Sequence, residues 1–407
     1  MKLIGIVFLA LIFVACATYQ TQLWKLREHI KTGQFQAALD GLKLLAEVES
    51  KDQLVHLLDY ATALQISGNY KESSLQFIKA DRLIDQLDYH SVSKIAVATL
   101  GSEEMIQYKG DSFEKILINS FNALNFLMMN QHDEAMVEVR RVNEKIKRFQ
   151  FEGRKEYELN PFAHYLAGLL WESDQKYDDA NIDFEKAFQI GMENQFLIED
   201  LIRTSKLAKR DEKYKQWKQK FPDIHEPPEW YSKKFAELII IHQVGWGPEK
   251  HFSPKDARYP KLYATASETT SAKIKVDGID SSETKPIYDI EKVAIKTLDD
   301  DLGWMVARKA GAYIAKEVAA DQIRQKNEAL GNIAWLVMHL SDRADLRQWS
   351  TLPQAISIAK VWLPVGQHQI EIQGLDRNGA LTADRLDSMN IKIEKNKKTF
   401  ISWRSFR

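Results

Sequence analysis

Cysteine is almost missing from this chain of 407 residues. Cys16 is the only one, so no internal disulfide can staple the fold and stability has to come from packing. Charge of one sign is missing as well. The 56 Lys and Arg balance 57 Asp and Glu to a formal net charge of -1, which offers no global field to nucleic acid or an acidic surface. None of the 10 histidines stands in an HExxH spacing. There is neither a G-x-S-x-G elbow nor a phosphate-binding G-x-x-x-x-G-K loop, so the commonest hydrolase and nucleotide-binding signatures are excluded. Beyond the first residues no second long apolar run occurs, which leaves no obvious spanning helix in the rest of the chain. A hydrophobic share of 44% is ordinary for a globular protein, and this length suffices for two or three domains with substantial cores.

What is present begins at the amino terminus. Leu3 to Ala15 is uninterruptedly apolar behind the weakly basic Met1-Lys2, the pattern of a secretory signal rather than of a spanning helix. Phe13-Val14-Ala15-Cys16 resembles the lipobox of bacterial lipoproteins, with Phe13 where Leu is usual. That resemblance implies removal of residues 1-15, lipidation of Cys16 and a membrane tether outside the cytoplasm. Two or more acyl chains on one residue hold a protein on a membrane almost irreversibly. Ala17, where an Asp favours inner-membrane retention in enterobacterial lipoproteins, points by the same resemblance to the periplasmic side of the outer membrane.

Residues 16-220 read as a helical array. Apolar spacings of three and four dominate, and one phrase recurs at Gly33 to Leu39, Gly68 to Ser74, Asn130 to Met136 and Gln175 to Asn181. The phrase resembles the centre of the tetratricopeptide repeat, a turn followed by a small residue where two helices cross. Ala38, Ser73, Ala135 and Ala180 hold that place. Ala80, Val142 and Ala187 follow seven residues later, where Leu45 does not fit, and Ala61, Ala123 and Gly168 precede it by twelve. A helix pair cannot bury its apolar face alone, so pairs stack and need small side chains at the crossings. The uneven spacing predicts a degenerate repeat near residues 85-115. Arrays of this kind bind peptides or proteins along a concave face.

Three prolines between Phe221 and Pro228 break the helical pattern, and residues 221-234 read as a linker. Residues 235-407 read as a mixed module, which makes the whole chain α+β: a repeat array followed by a mixed α/β domain with a small antiparallel sheet or sandwich. Glu237 to Val244 predicts a buried strand, and Lys273 to Val276 a strand entering a tight Asp277-Gly278 turn. Ile356 to Leu363 with Gln367 to Gln373 predicts a hairpin, and Met389 to Glu394 with Thr399 to Trp403 a second. Between Asp299 and Leu340 the helical period returns, with Leu302, Val306, Ala310, Ile314 and Val318 on one face. Asp299-Asp300-Asp301 reads as its charged start rather than as a calcium loop, whose ligands alternate with other residues.

Several phrases together resemble an uncharacterised family of bacterial envelope lipoproteins with tetratricopeptide-type repeats. They are Val137-Glu138-Val139-Arg140-Arg141, Asn160 to Gly168, Gly247-Pro248-Glu249-Lys250, Tyr259-Pro260 and Asp345 to Pro353. The resemblance covers most of the chain and implies a role in envelope assembly, with no catalytic residue to carry over.

Among side chains, Trp246 between two glycines, Arg347 and Trp349 in the Asp345-Arg347-Trp349 alternation, and Arg140 with Arg141 are the candidate partner-binding residues. Each also has a plain structural role: Trp246 as cover for its own domain, Arg347 stacked on Trp349 and paired with Asp345, Arg140 and Arg141 in fixed ion pairs between stacked helices. Lys206 to Lys220 reads as the solvated last helix of the array. The sequence thus predicts a lipid-anchored periplasmic scaffold or adaptor for unidentified envelope proteins, without enzymatic activity, cofactor, metal or nucleic-acid partner. The rival reading is an enzyme, or an activator of one, working on a cell-wall substrate in the cleft between the two halves.

Overall fold

The computed structural model describes residues 19-89, 107-153, 160-340 and 343-407. Residues 1-15, Cys16 and most of the expected degenerate repeat therefore lie outside the described residues. Among the described residues ten helices come first: α1 Tyr19–Lys31, α2 Phe35–Glu47, α3 Gln53–Ile66, α4 Tyr70–Tyr89, α5 Ser112–Met128, α6 His132–Phe151, α7 Pro161–Ser173, α8 Tyr177–Gln189, α9 Gln195–Leu207 and α10 Asp211–Lys220.

They pair into five hairpins with one shared turn. Its pivot takes a left-handed backbone at Gly33, Gly68, Asn130, Gln175 and Lys209, with φ of 75°, 80°, 56°, 60° and 57°. The next N–H bonds back to the carbonyl five residues earlier, as in Gln34 to His29, Asn69 to Leu64 and Arg210 to Ser205, which satisfies an orphan carbonyl at the helix end. Asn160 caps α7 by accepting from the Ala163 N–H at 3.3 Å, with Pro161 in the first helical position. Ala38, Ser73, Ala135 and Ala180 are fully buried at the crossings. At Gly168 even a methyl group would lie 2.4 Å from the Phe184 ring. The fifth hairpin has no such small residue, and its α10 buries no side chain completely. Tyr214 and Trp217 instead join an aromatic patch with Phe221 and Trp230 that closes the array. Residues 221-234 are tied down rather than loose, for Glu226 accepts from Tyr214, Tyr231 and Lys206 at 2.7, 2.6 and 2.9 Å.

The strands are β1 Phe235–Val244, β2 Glu249–Phe252, β3 Pro260–Tyr263, β4 Ser271–Val276, β5 Ile279–Glu283, β6 Lys285–Asp289, β7 Ala355–Pro364, β8 Gly366–Leu375, β9 Leu381–Ile393 and β10 Thr399–Arg404. Between β6 and β7 stand the 37-residue α11 Ile290–Lys326 and α12 Glu328–Leu340. One sheet has the order β10-β1-β7-β6, with β1 and β10 parallel, and a second has β5-β4-β8-β9. β2 and β3 form a separate ribbon. The first sheet is thus mixed rather than purely antiparallel.

β1 is buried from Ala236 to Val244 because both its faces are covered, which suits its unbroken apolar run. Ile239 and Ile241 join the core shared with the helices, while Leu238 and Ile240 pack with Ile274, Ile370 and Ile372 of the second sheet. Helices, first sheet and second sheet form three layers.

Two expected hairpins are not hairpins. β7 and β8 follow one another at Val365, but β7 pairs with β1 and β6 while β8 pairs with β4 and β9. β9 and β10 likewise belong to different sheets. The reason is burial: Ile356 to Lys360 needs a central place covered on both faces, whereas the alternating β8 needs one wet face. The Asp277-Gly278 turn is realised as expected, both residues at positive φ, joining β4 to β5.

The long helix also departs from expectation. It begins at Ile290, where the Asp289 carboxylate accepts from the Lys292 N–H at 2.8 Å, so Asp299 to Asp301 lie in its body rather than at its start. Leu302, Val306, Ala310, Ile314 and Val318, read as one face of this helix, are all exposed.

Candidate functional site

The face built by the first helices of the hairpins is where a helical array would receive a partner. Here the chain fills it with its own carboxy-terminal half. Every first helix takes part. From α1, Arg27 reaches Glu249 at 3.0 Å and lies over the Trp246 ring. From α3, Asp59 accepts from Ser350 Oγ at 3.1 Å, from the Thr351 N–H at 2.8 Å and from Thr351 Oγ1 at 2.9 Å. Thr62 Oγ1 takes the Trp349 indole N–H at 2.9 Å, and Gln243 Nε2 donates to Gln65 at 3.2 Å. From α5, Glu114 accepts the Trp349 backbone N–H at 3.0 Å. The indole of Trp349 sits between Phe77 and Phe121, with ring centroids 5.8 and 5.6 Å away. The loop Asp345 to Pro353 therefore occupies the array much as a bound peptide would.

Further along, a buried charge cluster joins α7 and α9 to the first sheet. Arg203 binds Glu172 through Nε at 2.7 Å and Nη2 at 2.8 Å, and contacts Asp200. Lys360 of β7 lies 2.5 Å from Asp200 and 2.7 Å from Glu237 of β1. Lys398 lies 3.0 Å from Glu172 and also binds Glu237. Three cations and three carboxylates balance, and Trp230 and Trp362 lie against the Arg203 guanidinium. Burial alone would raise the carboxyl pKa of Glu237, but the charges of Lys360, Lys398 and Arg203 outweigh it and lower it to about 2. Glu172 is lowered in the same way. At Glu114, burial wins. With the Asp111 carboxylate beside it, burial lifts the carboxyl to about 7 against the pull of the Tyr108 hydroxyl and the Trp349 N–H.

Among the described residues these contacts fill much of the junction where a cleft between the halves would lie. The cavity at that junction, bounded by Glu114, Lys250, Leu262 and Trp349, holds about 20 Å³, room for little more than one water. A roomier hollow of about 350 Å³ lies between α4 and α6, where Asp81, Arg82, Asp85, Arg141, Glu144 and Arg148 mix both signs of charge. Among the described residues no group of three or more His, Cys, Asp or Glu is placed to hold a metal ion.

The five candidate side chains separate cleanly. Trp246, Arg347 and Trp349 are 2%, 5% and 2% exposed, all turned inward, so as placed they hold this chain together and are out of reach of another. Trp246 donates its indole N–H to the Phe406 carbonyl at 3.1 Å. Arg347 pairs with Asp345 at 2.6 Å as expected, but it stacks on Tyr108 rather than Trp349 and reaches across to Asp52 at 2.9 Å. Arg140 and Arg141 are exposed on α6, Arg141 paired with buried Glu138 at 2.9 Å and Arg140 over the Trp171 ring. Sequence reasoning missed Asp59, Glu114, Arg203 and Lys360. In the sequence, a charge on an amphipathic helix looks the same whether it meets water or a partner 150 residues away.

No protein-family model matches the chain, and no curated protein does. Among solved structures, a tetratricopeptide repeat protein from Parabacteroides merdae is similar at 15% identity and a TM-score of 0.34, over 50% of this chain and 67% of that one. MamA from Desulfovibrio magneticus RS-1 gives 16% and 0.33 over 50% and 90%. A putative kinesin light chain with TPR-like repeats from Podosopora anserina gives 12% and 0.33 over 49% and 91%. The repeat character of this chain rests on its own five hairpins and their shared turn.

Proposed function

We propose that the protein is a lipid-anchored scaffold of the bacterial envelope that binds other proteins and catalyses nothing. It would be tethered through Cys16 at the periplasmic side of the outer membrane, within an assembly that builds the envelope. One observation carries the binding role. The groove of the array is spent on the chain's own carboxy-terminal half, while the α11–α12 hairpin leaves large apolar side chains bare, among them Trp304, Ile314, Leu330 and Ile333 at 65%, 64%, 57% and 58% exposure. Exposed apolar patches of that extent mark interaction surfaces in soluble proteins. The tether is supported by the lipobox-like end of the leading apolar run. Partners would then be met on the outer surfaces, with the array acting as a rigid frame rather than as a peptide clamp.

The test has two arms. Cys16→Ser should move the protein from the membrane to the soluble fraction, and retention on the membrane contradicts the tether. Crosslinking in intact cells followed by affinity purification should recover the same envelope proteins repeatedly. Failure to recover any contradicts the scaffold.

A further inference from the structure

The helical array has two edges, and they differ. The tight turns at Gly33, Gly68, Asn130, Gln175 and Lys209 stand on one. The connections from one hairpin to the next stand on the other, where several contacts draw them together. The Tyr108 N–H donates to the Lys51 carbonyl at 2.9 Å, and Lys115 at the start of α5 pairs with Asp88 at the end of α4 at 3.0 Å. Ile116, Phe149 and Ala163 bring the start of α5, the end of α6 and the start of α7 into one cluster. α1 runs antiparallel to α2 through the Gly33 turn, with Gly41 against Leu26, so it starts on this second edge as well.

Cys16 stands three residues before Tyr19, the first residue of α1. Three residues reach at most ~10 Å however they run. Acyl chains on Cys16 would therefore hold lipid headgroups within that distance of the second edge. The gap is no wider than a single helix of ~10-12 Å, so neither a folded partner nor a second copy fits between edge and bilayer at the tethered end.

The side chains on this edge suit lipid. Phe151, at the end of α6, is 94% exposed and is the barest large apolar side chain among the described residues. Six such side chains are exposed on the described array. The four barest, Phe151, Leu44, Trp24 and Val48, lie in the half next to this edge, and the less exposed Leu75 and Val137 lie in the other half. By helical rise Leu44 is about 5 Å and Trp24 about 8 Å from the edge, within the ~5-10 Å that an apolar face sinks into the headgroup boundary. Lys51, Lys147 and Arg148 mix there with Glu47, Glu49 and Glu152, all exposed, so the edge repels neither zwitterionic nor anionic headgroups. Phe151 lies two hairpin steps from α1, roughly 20 Å at ~8-10 Å per packed helix. A second contact that far from the tether stops the array from pivoting about it.

We propose that the edge holding the hairpin-to-hairpin connections is the membrane face of the protein, resting on a phospholipid surface with Phe151, Val48 and Trp24 among the headgroups. This rests on the Cys16 tether of the proposed function and deepens it from a point of attachment to an orientation. The five tight turns then point away from the bilayer.

The acylated full chain, placed in phosphatidylethanolamine–phosphatidylglycerol vesicles, tests it. With Cys16 blocked by its lipid, Phe151→Cys takes a fluorophore at that position alone, and Lys71→Cys takes it on the turn edge. Both side chains are exposed, so neither change removes packing, and far-ultraviolet circular dichroism should be unchanged. A phospholipid carrying a nitroxide on its headgroup should quench about half of the emission at 151 and about a tenth or less at 71, which lies ~25 Å further from the bilayer. Equal quenching at the two positions, or stronger quenching at 71, overturns the proposal. So does a photoreactive group at 151 that links to a protein rather than to phospholipid in intact cells, which would assign the edge to a partner. Fractionation of Cys16→Ser reads the tether separately. A chain held through Cys16 but unquenched at 151 keeps the tether and loses the orientation, whereas a chain not held through Cys16 loses both.

Discussion

Charge is placed in this protein where burial makes it decisive. Lys360, between Asp200 and Glu237, is the clearest case: without it two buried carboxylates each lose one of their cation partners. Breaking one partner out of a buried ionic set costs about 3-5 kcal/mol, because the charges left behind stay desolvated. Lys360→Met should therefore lose about that much stability at pH 7 in chemical denaturation. The pH dependence has a definite sign. Glu237 has a folded pKa of about 2, below its unfolded value, so the stability it contributes is present above its ordinary carboxyl range and lost as pH falls toward 2. The gap between wild type and Lys360→Met should narrow over that acid window. An equal gap at pH 7 and pH 2.5 would mean that the lysine acts by packing alone. Trp349, Arg347 and Trp246 were legible as unusual residues in turn-rich stretches, but their inward direction was not, since it depends on acceptors such as Asp59, Thr62 and Glu114 far away in the chain.

The helical hairpins were the most legible elements, because each needs a small residue at its crossing and a left-handed turn before it. Four turns could be read from the recurring phrase. The fifth, at Lys209, could not, since Tyr214 stands where the others have Ala or Ser and the terminal hairpin has no following pair to stack on. Strand order was less legible for a related reason: alternation identifies which face of a strand is wet, not which sheet it joins, so β7–β8 and β9–β10 read as hairpins although each pair straddles two layers. The turn geometry makes a paired prediction. Gln175 pays for φ 60° with strain that glycine does not feel, so Gln175→Gly should gain up to about 1 kcal/mol. Gly168→Ala, whose new methyl would collide with Phe184, should lose about 1-3 kcal/mol. Thermal melts of the two variants should shift in opposite directions, and a neutral Gly168→Ala would contradict the close crossing of α7 and α8.

Taken whole, the molecule is an array closed by its own second half, with one apolar hairpin left outside. Its helical stripe was visible in the sequence, but its exposure was not, because exposure is a property of the neighbours a helix acquires, which spacing alone does not fix. The closed face is the claim on which both the rigid-frame reading and the outward location of partner contacts depend. Native-state amide hydrogen exchange on the full chain tests it most directly. The Trp349 and Thr351 N–H groups, bonded to Glu114 and Asp59, should exchange only through the same global opening as the centre of β1. If these two amides exchange through a separate opening of much lower free energy while β1 stays protected, the loop leaves the array on its own and the closed-face account is wrong.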